Sequence, residues 1–323
     1  MKKVFIDGSA GTTGLRIRER LATRRDLEVV TLPEELRKDT VARRTALNAA
    51  DVAFLCLPDA AAIEAVALVE NPATVVIDTS TAHRVADGWE YGFPELEGRR
   101  ERIASAKRIA NPGCHASGFI ALVEPLVRRG VLRPDAELCA TSLTGFSGGG
   151  KKMIAAYGEV IDFPNNRIVA SEDRDLFFGG RQYALGQTHK HLPEMAKVCG
   201  LTHPPAFLPI VVPHYSGMEV TVPLFRSQLA DPSATLADLK RLYADYYGRG
   251  GLVRFAEDPS EGGFLSSAAL SGKDVLEVSV YGNEDRILLV SRFDNLGKGA
   301  SGAAIQNMNV VLGCVEETGL MLN

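Results

Sequence analysis

Short apolar runs alternate with helix-like stretches along the first third of the chain, and this alternation limits the possible folds more than any other feature of the sequence. The apolar runs lie at residues 4–6, 27–32, 52–57 and 75–77, and the helical patterns between them lie at 13–23, 40–49 and 59–69. Parallel strands need a crossover connection of this length, which a helix supplies. The pattern therefore predicts an α/β, Rossmann-like dinucleotide-binding domain built on a parallel sheet.

The sequence after residue 114 has a different pattern. We expect a helix over 114–129, and the alternation of apolar and polar residues over 218–224 predicts a strand with one buried face. The runs 274–281 and 286–293, joined by a short turn, predict an antiparallel hairpin. An apolar helical segment over 300–315 comes near the end of the chain. These elements predict a second, α+β domain with a mixed sheet.

The composition restricts the class of protein. Of the 323 residues, 46% are hydrophobic and 24% are charged, which suits a globular protein of two domains. The net charge of −4 gives no sign of the dominant basic face that nucleic-acid-binding proteins carry. Residues 198–218 hold no Asp, Glu, Lys or Arg, but their four prolines exclude a membrane-spanning helix. The amino terminus has no signal-peptide pattern, and the five cysteines have no close spacing, so we expect a cytoplasmic protein with reduced thiols and no nucleic-acid or membrane partner.

A glycine-rich turn directly follows the first predicted strand. Its spacing, G-x-x-G-x-x-G, differs from the usual G-x-G-x-x-G, but its place between a strand and a helix is the one that dinucleotide-binding loops occupy. The backbone amides of such a turn can approach a pyrophosphate, and the helix amino terminus adds favourable partial charge. A glycine turn that only packs is the alternative. The candidate cofactor-binding residues of this turn are Gly8, Ser9, Ala10, Gly11, Thr12, Thr13 and Gly14.

Four basic residues follow the second predicted strand, at positions 37, 38, 43 and 44. Their charges can hold the 2′-phosphate of NADP. Glu34 and Glu35 could instead contact a ribose hydroxyl, and a solvated surface of mixed charge is a further interpretation. We favour NADP(H) as the cofactor, with Arg37 as the candidate contact for its phosphate.

Cys114 follows Asn-Pro-Gly at a predicted junction between a strand and a helix. A helix amino terminus stabilises a thiolate, which favours nucleophilic attack near neutral pH. The other four cysteines lie in apolar runs and are expected to be small core residues. Cys114 is therefore the candidate nucleophile.

His189 and His191 would share one face if their segment were extended, and either imidazole could serve as an acid or base. A His-x-His pair can also bind a metal ion, but the sequence offers no third ligand, so we predict no metal site. A structural role for one of the two histidines remains open.

Three further segments carry polar groups suited to ligands. Residues 143–152 combine glycine amides with two lysines, 295–302 precede the last helix, and 78–84 follow the fourth strand, where ligands collect in such sheets. Tight glycine turns are the alternative interpretation of the first two segments. The cofactor candidates in the three segments are Ser80, Gly148, Gly149, Asn295 and Lys298.

Seven segments together resemble the N-acetyl-γ-glutamyl-phosphate reductases of arginine biosynthesis, in their shorter form. They are residues 8–14, 78–84, 91–96, 111–114, 147–152, 189–194 and 298–309, so that the resemblance extends over nearly the whole chain. It implies an NADP-binding domain formed by 1–113 and 299–323, with a catalytic and dimerisation domain at 114–298. It further implies a homo-oligomer, either a dimer or a tetramer.

The resemblance also implies a reaction. NADPH would reduce an acyl phosphate, N-acetylglutamyl 5-phosphate, to N-acetylglutamate 5-semialdehyde and phosphate through a thioester on Cys114, with the histidine pair as acid and base. Gln306 joins the cofactor candidates. The anionic phosphate and carboxylate of this small-molecule substrate need cations and hydrogen-bond donors. The substrate-binding candidates are Arg84, Asn111, Lys151 and Lys190.

Two alternatives remain at this point. One is the related reductase of lysine biosynthesis, which acts on a carrier-protein-bound aminoadipyl phosphate. An acidic carrier would need an extended basic surface, of which the net charge gives no sign. The other is an NADP-binding regulator without catalysis, against which Cys114 in its motif argues.

Overall fold

The computed structural model describes residues 1–162, 167–168 and 174–323, which form two compact units. The first unit comprises residues 1–113 and 300–322, and the second comprises 114–299 together with residue 323. The sequence predicted a division after residues 113 and 298. Within the described ranges, no helix combines the length and the apolar character that a bilayer span requires.

The first unit is a six-stranded sheet in which every pairing is parallel, with the strand order β2-β1-β3-β4-β6-β5. Its strands are β1 (Lys2–Asp7), β2 (Leu27–Val30), β3 (Val52–Leu55), β4 (Val75–Asp78), β5 (Glu90–Tyr91) and β6 (Arg108–Ala110). Its helices are α1 (Thr12–Leu21), α2 (Thr40–Ala49), α3 (Asp59–Ala67), α4 (Arg99–Ser105) and, after the second unit, α10 (Gly302–Leu312). The prediction of a Rossmann-like parallel sheet is confirmed.

Apolar clusters cover both faces of this sheet. Successive side chains of a strand point to opposite faces, so neighbouring residues of β1 belong to different clusters. On one face Ile6 of β1 belongs to an apolar cluster that includes Ile305 of α10. On the other face Phe5 belongs to a second cluster, which includes Leu47 of α2. Because the strands are parallel, the segments that follow β1, β4 and β6 all leave the sheet at the same edge. The glycine-rich turn, residues 79–84 and Asn111 are therefore placed along that edge.

The second unit contains a seven-stranded mixed sheet with the order β10-β11-β7-β12-β15-β14-β13. Its strands are β7 (Cys139–Gly145), β10 (Arg181–Gln182), β11 (Ala206–Val212), β12 (Met218–Phe225), β13 (Val253–Phe255), β14 (Leu276–Gly282) and β15 (Arg286–Phe293), and a separate pair is formed by β8 (Ile161–Asp162) and β9 (Arg167–Ile168). Its helices are α5 (Cys114–Arg128), α6 (Gly150–Gly158), α7 (Arg174–Phe178), α8 (Leu192–Cys199) and α9 (Leu236–Tyr247). The predicted second domain with a mixed sheet is confirmed.

Helix α5 packs closely on this sheet. A Cβ atom added to Gly118 would lie 2.5 Å from Cγ2 of Val220 on β12, so that only glycine permits the observed approach. The alternating burial of β12 agrees with the predicted pattern, since Met218, Val220, Val222 and Leu224 are buried on one face.

Several predicted boundaries were wrong by one to three residues. The second strand ends at Val30 rather than at residue 32, and Pro33, which lacks an N–H, follows shortly after. The hairpin of β14 and β15 is confirmed, but β14 begins at Leu276 rather than at 274. The last helix begins at Gly302, after a wider π-helical turn over Gly297–Ser301, and ends at Leu312.

Candidate active site

The glycine-rich turn after β1 is held by close backbone contacts. Gly8 has a φ angle of +86°, and a Cβ atom there would lie 2.3 Å from the carbonyl oxygen of Cys56. A Cβ atom on Gly14 would lie 2.5 Å from the carbonyl oxygen of Gly8. Any larger residue at either position would therefore force the turn open.

The turn leads directly into the amino terminus of α1. The Gly11 N–H donates to the Gly8 carbonyl oxygen at 3.0 Å, and Gly11 is the residue that precedes α1. No side chain of the described residues caps this helix end. The first N–H groups of a helix lack intrahelical acceptors, so the arrangement suits a pyrophosphate.

The four basic residues after β2 have different surroundings. Arg43 is buried, and its Nη2 lies 2.9 Å from Oδ2 of Asp7, the last residue of β1. Arg44 lies 3.3 Å from Glu70 on the surface. The Arg37 guanidinium is 3.8 Å from Glu34, with its side chain 38% exposed. Arg43 is thus committed to an internal ion pair, whereas Arg37 and the exposed Lys38 can meet a ligand.

A buried carboxylate organises the segment that follows β4. Asp78 accepts hydrogen bonds from the Ser80 N–H at 2.9 Å and from the Ser80 hydroxyl at 2.7 Å. Its Oδ2 also lies 2.6 Å from Nδ1 of His83, and since a carboxylate only accepts, His83 donates. The His83 ring is stacked on Trp89, with 4.1 Å between the ring centroids. Sequence reasoning singled out Ser80 but missed this pairing of Asp78 with His83.

Arg84 and Asn111 lie together at the same edge of the sheet. The Arg84 Nε donates to the carbonyl oxygen of Asn111 at 3.0 Å, and its Nη2 donates to that of Thr79 at 3.2 Å. The Asn111 side chain is buried, and its amide donates to the Ala300 carbonyl oxygen at 3.0 Å while its oxygen accepts from Asn307 at 3.3 Å. The backbone therefore orients the guanidinium, and Asn111 is engaged in bonds within its own unit.

Gln306 is also engaged internally. It is fully buried on α10, and its amide nitrogen donates to Glu95 at 2.8 Å and to Glu316 at 2.9 Å. These bonds join α10 to two loops of the first unit. The Gln306 amide nitrogen thus holds α10 to these loops. Its contact with the cofactor stays a prediction.

The glycine loop of the second unit is tied to the segment after β15. Asn295 is buried, and its Nδ2 donates to the Ser147 hydroxyl at 3.0 Å while its Oδ1 accepts from the Gly217 N–H at 2.9 Å. A Cβ atom on Gly148 would lie 3.4 Å from that same Nδ2. The structure therefore brings Asn295 and the loop together, as one site would require.

The remaining candidates near this loop differ in exposure. Gly149 lies against the Met153 side chain, and Lys151 is exposed on the first turn of α6. Lys298 is buried in the π-helical turn. An exposed lysine can reach a ligand in solvent, whereas a buried one must be neutralised or hydrogen-bonded within the unit.

Cys114 is the first residue of α5, as the sequence predicted. It packs closely against Gly299, since a Cβ atom added to that glycine would lie 3.0 Å from the Cβ of Cys114. The side chain is half-buried, and none of the five cysteines forms a disulfide. Cys114 thus combines partial exposure with the favourable position at a helix amino terminus.

Three histidines lie together in the second unit, and we call His115, His189 and His191 the histidine cluster. The ring of His189 is 4.6 Å from that of His191 and 5.4 Å from that of His115. The sequence analysis placed the two rings on one face on the assumption of an extended segment. The segment is not extended, because His191 immediately precedes α8 and has helical backbone angles. The turn nevertheless brings both rings to one place.

The surroundings of the two predicted histidines differ. The His191 N–H donates to Nδ1 of His189 at 3.2 Å, which requires Nδ1 of His189 to be without a proton. His189 is half-buried, and Lys190 beside it is exposed. His191 is buried, with its Nε2 4.0 Å from the buried carboxylate of Glu194.

His115 is a member of the cluster that the sequence did not predict as a site residue. Its Nδ1 lies 2.7 Å from the Ser142 hydroxyl and its Nε2 lies 2.6 Å from the Tyr183 hydroxyl. Burial holds the pKa of His115 well below 6.5, and the proximity of His189 and Lys190 acts in the same direction. The only signal in the sequence was its place directly after Cys114, since Ser142 and Tyr183 are distant along the chain.

Two family models match the chain. The NAD binding domain of semialdehyde dehydrogenases matches residues 3–106, and the dimerisation domain of semialdehyde dehydrogenases matches residues 114–295. The matched ranges lie within the two compact units described above.

Named relatives cover nearly the full chain. N-acetyl-gamma-glutamyl-phosphate reductase 2 of Nostoc sp. is 44% identical over 326 residues, which cover 98% of this chain and 99% of the relative. The N-acetyl-gamma-glutamyl-phosphate reductase of Mesorhizobium japonicum is 44% identical over 321 residues, covering 96% and 99% of the two chains.

Solved structures share the fold at low identity. Aspartate semialdehyde dehydrogenase II of Vibrio cholerae, complexed with ASA, superposes with a TM-score of 0.72 at 16% identity, covering 97% of this chain and 98% of that one. Aspartate semialdehyde dehydrogenase with NADP from Candida albicans has a TM-score of 0.67 at 16% identity, with the same coverage. The chain belongs to the semialdehyde dehydrogenase family and, within it, to the N-acetyl-γ-glutamyl-phosphate reductases.

Proposed function

We propose that this chain reduces N-acetyl-γ-glutamyl phosphate with NADPH, giving N-acetylglutamate 5-semialdehyde and phosphate, and that Cys114 carries the thioester intermediate. The observation that carries the mechanism is the position of Cys114 at the start of α5, next in the chain to His115 of the histidine cluster. By contrast, burial raises the pKa of Cys56 to about 12 and also raises that of Cys139. Those two thiols are therefore poor nucleophiles near neutral pH.

The chemistry begins at sulfur. The Cys114 thiolate attacks the acyl carbon of the substrate, the bond between that carbon and the phosphate oxygen breaks, and inorganic phosphate leaves. Amides of the first turn of α5, which lack intrahelical acceptors, are placed to stabilise the oxyanion. NADPH, when bound, supplies the hydride that reduces the thioester. The thiohemiacetal on Cys114 then loses its C–S bond, which releases the aldehyde and restores the thiolate.

His189 is the hydrogen-bond donor to the reacting oxygen in this proposal. Because its Nδ1 accepts the His191 N–H, the proton of the neutral ring is on Nε2, from which it can donate a hydrogen bond to the oxyanion that forms at the reacting carbonyl group. The ring keeps this proton, since the oxyanion can collapse directly to the aldehyde and the Cys114 thiolate, and the role of acid and base that the sequence suggested for His189 is narrowed to that of a donor. His191, which is buried beside Glu194, would hold the turn that presents His189.

The residues of the first unit fit a dinucleotide. The close packing of Gly8 and Gly14 leaves a turn whose amides and helix end are suited to a pyrophosphate. Arg37, assisted by Lys38, is our candidate for the 2′-phosphate, since Arg43 is held by Asp7. The observations thus support NADPH through Arg37 and Lys38, since Arg43, one of the four cations that the sequence offered, is held in the interior.

The two units divide the work in this proposal. The first, residues 1–113 and 300–322, binds NADPH, and the second, residues 114–299, carries Cys114 and the contacts between copies of the chain. The match of the second unit to a dimerisation domain supports a homo-oligomer, for which the sequence allowed a dimer or a tetramer. We place the enzyme in the cytoplasm, because a nucleophilic thiol must stay reduced.

The substrate contacts follow from charge. Arg84, oriented by two carbonyl oxygens, and the exposed Lys151 and Lys190 are proposed to meet the phosphate and carboxylate of the substrate. Asn111 would act by supporting Arg84 through its carbonyl oxygen.

The test is the reverse reaction, in which N-acetylglutamate 5-semialdehyde reduces NADP⁺ only when phosphate is present. Wild-type protein should show this activity, and Cys114→Ser should lose it while keeping its affinity for NADPH and its unfolding midpoint. Cys139→Ser is the matched control and should behave as wild type. Substantial activity in Cys114→Ser would refute the thioester mechanism. A wild-type protein that is inactive with the free semialdehyde would instead favour the carrier-bound substrate.

A further inference from the structure

Residues 183–191, which we call the histidine loop, connect β10 to α8 and have an unusual backbone. Ala184 and Gln187 have φ angles of +52° and +53°, and within the described part of the chain they are the only residues other than glycine with a positive φ. The Gln187 N–H donates to the Ala184 carbonyl oxygen at 3.0 Å, which closes a turn. Such φ angles are uncommon for residues with a Cβ atom and persist where the surrounding contacts require them. His189 follows this turn by two positions, so the contacts that hold the turn also affect the placement of His189.

The Gln187 side chain binds the backbone of β11 at a single residue. Its Oε1 accepts from the Phe207 N–H at 2.8 Å, and its Nε2 donates to the Phe207 carbonyl oxygen at 2.8 Å. A backbone N–H only donates and a carbonyl oxygen only accepts, so these two partners determine the orientation of the Gln187 amide. Two hydrogen bonds therefore hold the histidine loop to β11 at Phe207.

These two bonds extend the edge of the sheet beyond the end of β10. The pairing of β10 with β11 ends at Ile210, and the Tyr183 N–H still donates to the Pro209 carbonyl oxygen at 3.0 Å. At Phe207 the backbone groups meet the side chain of Gln187 instead of the backbone of a strand. The Gln187 amide thus takes the place that a further residue of β10 would occupy.

Phe207 also contacts the histidine cluster through its ring. The ring is buried, and its centroid lies 5.2 Å from that of His189 and 5.2 Å from that of His115. The start of the histidine loop is held at the same cluster, since the Tyr183 hydroxyl lies 2.6 Å from Nε2 of His115. His189 therefore packs against the residue to whose backbone Gln187 is bonded.

We infer that Gln187 is a positioning residue for His189, and that its two bonds with Phe207 hold the histidine loop in the conformation from which His189 reaches the reacting oxygen. The inference rests on the proposed role of His189 as the donor to that oxygen. Gln187 acts through His189 and contacts neither substrate nor cofactor. Because a donor displaced by about 1 Å loses much of its effect on the reaction, loss of these bonds should lower turnover.

Gln187→Asn tests the inference. Asparagine adopts positive φ angles more readily than most residues with a Cβ atom, so the backbone of the turn is preserved. Its side chain is one methylene group shorter and should lose both bonds with Phe207. Turnover at saturating substrate should fall roughly 10- to 100-fold, with the Kd for NADPH unchanged.

Gln228→Asn is the matched control. Gln228 follows β12 and also bonds two backbone groups, accepting from the Phe225 N–H at 2.7 Å and donating to the Glu137 carbonyl oxygen at 2.6 Å. The same shortening should break these bonds without affecting the histidine loop, so turnover should stay at the wild-type value. Equal turnover in Gln187→Asn and Gln228→Asn would overturn the inference.

A double variant tests whether Gln187 acts through His189. In the His189→Asn background, Gln187→Asn should cause no further loss of turnover, because the side chain that it positions is already absent. If the two losses instead multiply, Gln187 acts on another group and the inference is wrong.

Hydrogen–deuterium exchange tests the hold on the loop without the reaction. The Leu192 N–H donates to the His189 carbonyl oxygen at 3.0 Å, and the peptide that contains it should exchange faster in Gln187→Asn than in the wild type or in Gln228→Asn. Unchanged exchange would overturn the inference even in an enzyme with the proposed activity. Faster exchange in a protein that does not act on N-acetylglutamate 5-semialdehyde would instead refute the proposed function and leave the hold of Gln187 on the loop supported.

Discussion

Arg43 and Asp7 form an ion pair in the interior of the first unit, with 2.9 Å between Nη2 and Oδ2. Asp7 ends β1 and is followed at once by Gly8, so the pair joins α2 to the start of the glycine-rich turn. Burial raises the pKa of Asp7, although Arg43 acts in the opposite direction. Arg43 therefore stabilises the ionised form of Asp7, and the ion pair fixes the start of the glycine-rich turn against α2.

Removing Arg43 should destabilise the protein. Arg43→Met would leave the Asp7 carboxylate buried without its partner, which costs about 3–5 kcal/mol for pairs of this kind. We expect a lower unfolding midpoint in denaturant and weaker binding of NADPH. Arg44→Met is the matched control, because Arg44 pairs with Glu70 on the surface and should contribute about 1 kcal/mol or less. Equal effects of the two substitutions would contradict the assignment of Arg43 to the interior.

Arg37→Ala should change the choice of cofactor. A charge-assisted contact with the 2′-phosphate contributes about 1.5–3 kcal/mol, and NADH has no phosphate there. The Kd for NADPH should therefore rise roughly 10- to 100-fold, with little change for NADH, as measured by fluorescence titration. Arg44→Ala should leave both values as in the wild type. Equal weakening of both cofactors would remove Arg37 from the phosphate site.

The histidine cluster should respond unequally to substitution. His189→Asn removes the proposed donor to the reacting oxygen, so turnover should fall roughly 10²- to 10³-fold while NADPH still binds. His191→Asn should have a smaller effect, since its ring is buried beside Glu194 and would act through the turn. Steady-state kinetics in both directions would measure this. If neither variant loses turnover, the hydrogen-bond donor to the reacting oxygen is another group.

His115 should make the stability of the protein depend on pH. Its pKa in the folded state lies well below the ordinary value of 6.5, so below pH 6.5 the unfolded chain binds a proton that the folded chain excludes. The resulting stability is fully present above pH 6.5 and is lost as the pH falls toward the folded pKa, by at most about 1.4 kcal/mol per pH unit.

His115→Asn should remove this contribution. Denaturant unfolding at pH 7, 6 and 5 would show a smaller decline for the variant than for the wild type. His203→Asn is the matched control, because His203 is exposed and should keep the decline of the wild type. Identical declines in wild type and His115→Asn would show that His115 is protonated in the folded state.

The architecture and the most prominent site residues could be predicted from local patterns in the sequence. The parallel sheet follows from the alternation of apolar runs and helical patterns, which depends on contacts between neighbours in the chain. Gly8 and Cys114 were found because each stands at a junction of a strand and a helix, where local backbone geometry decides the chemistry. The predicted boundaries near Val30 and Gly302 were wrong by two residues, since strand pairing and the π-helical turn set them.

The different roles of neighbouring residues of the same type could not be predicted, because they depend on how the elements pack. Arg43 and Arg44 are equivalent in the sequence, but a helix turns by about 100° per residue, so one faces Asp7 in the interior and the other faces Glu70 at the surface. Likewise, Ser142 and Tyr183 are 27 and 68 residues away from His115. Hydrogen bonds between side chains so far apart are decided by the packing of strands and helices, because no local pattern in the sequence records which hydroxyl will meet which nitrogen.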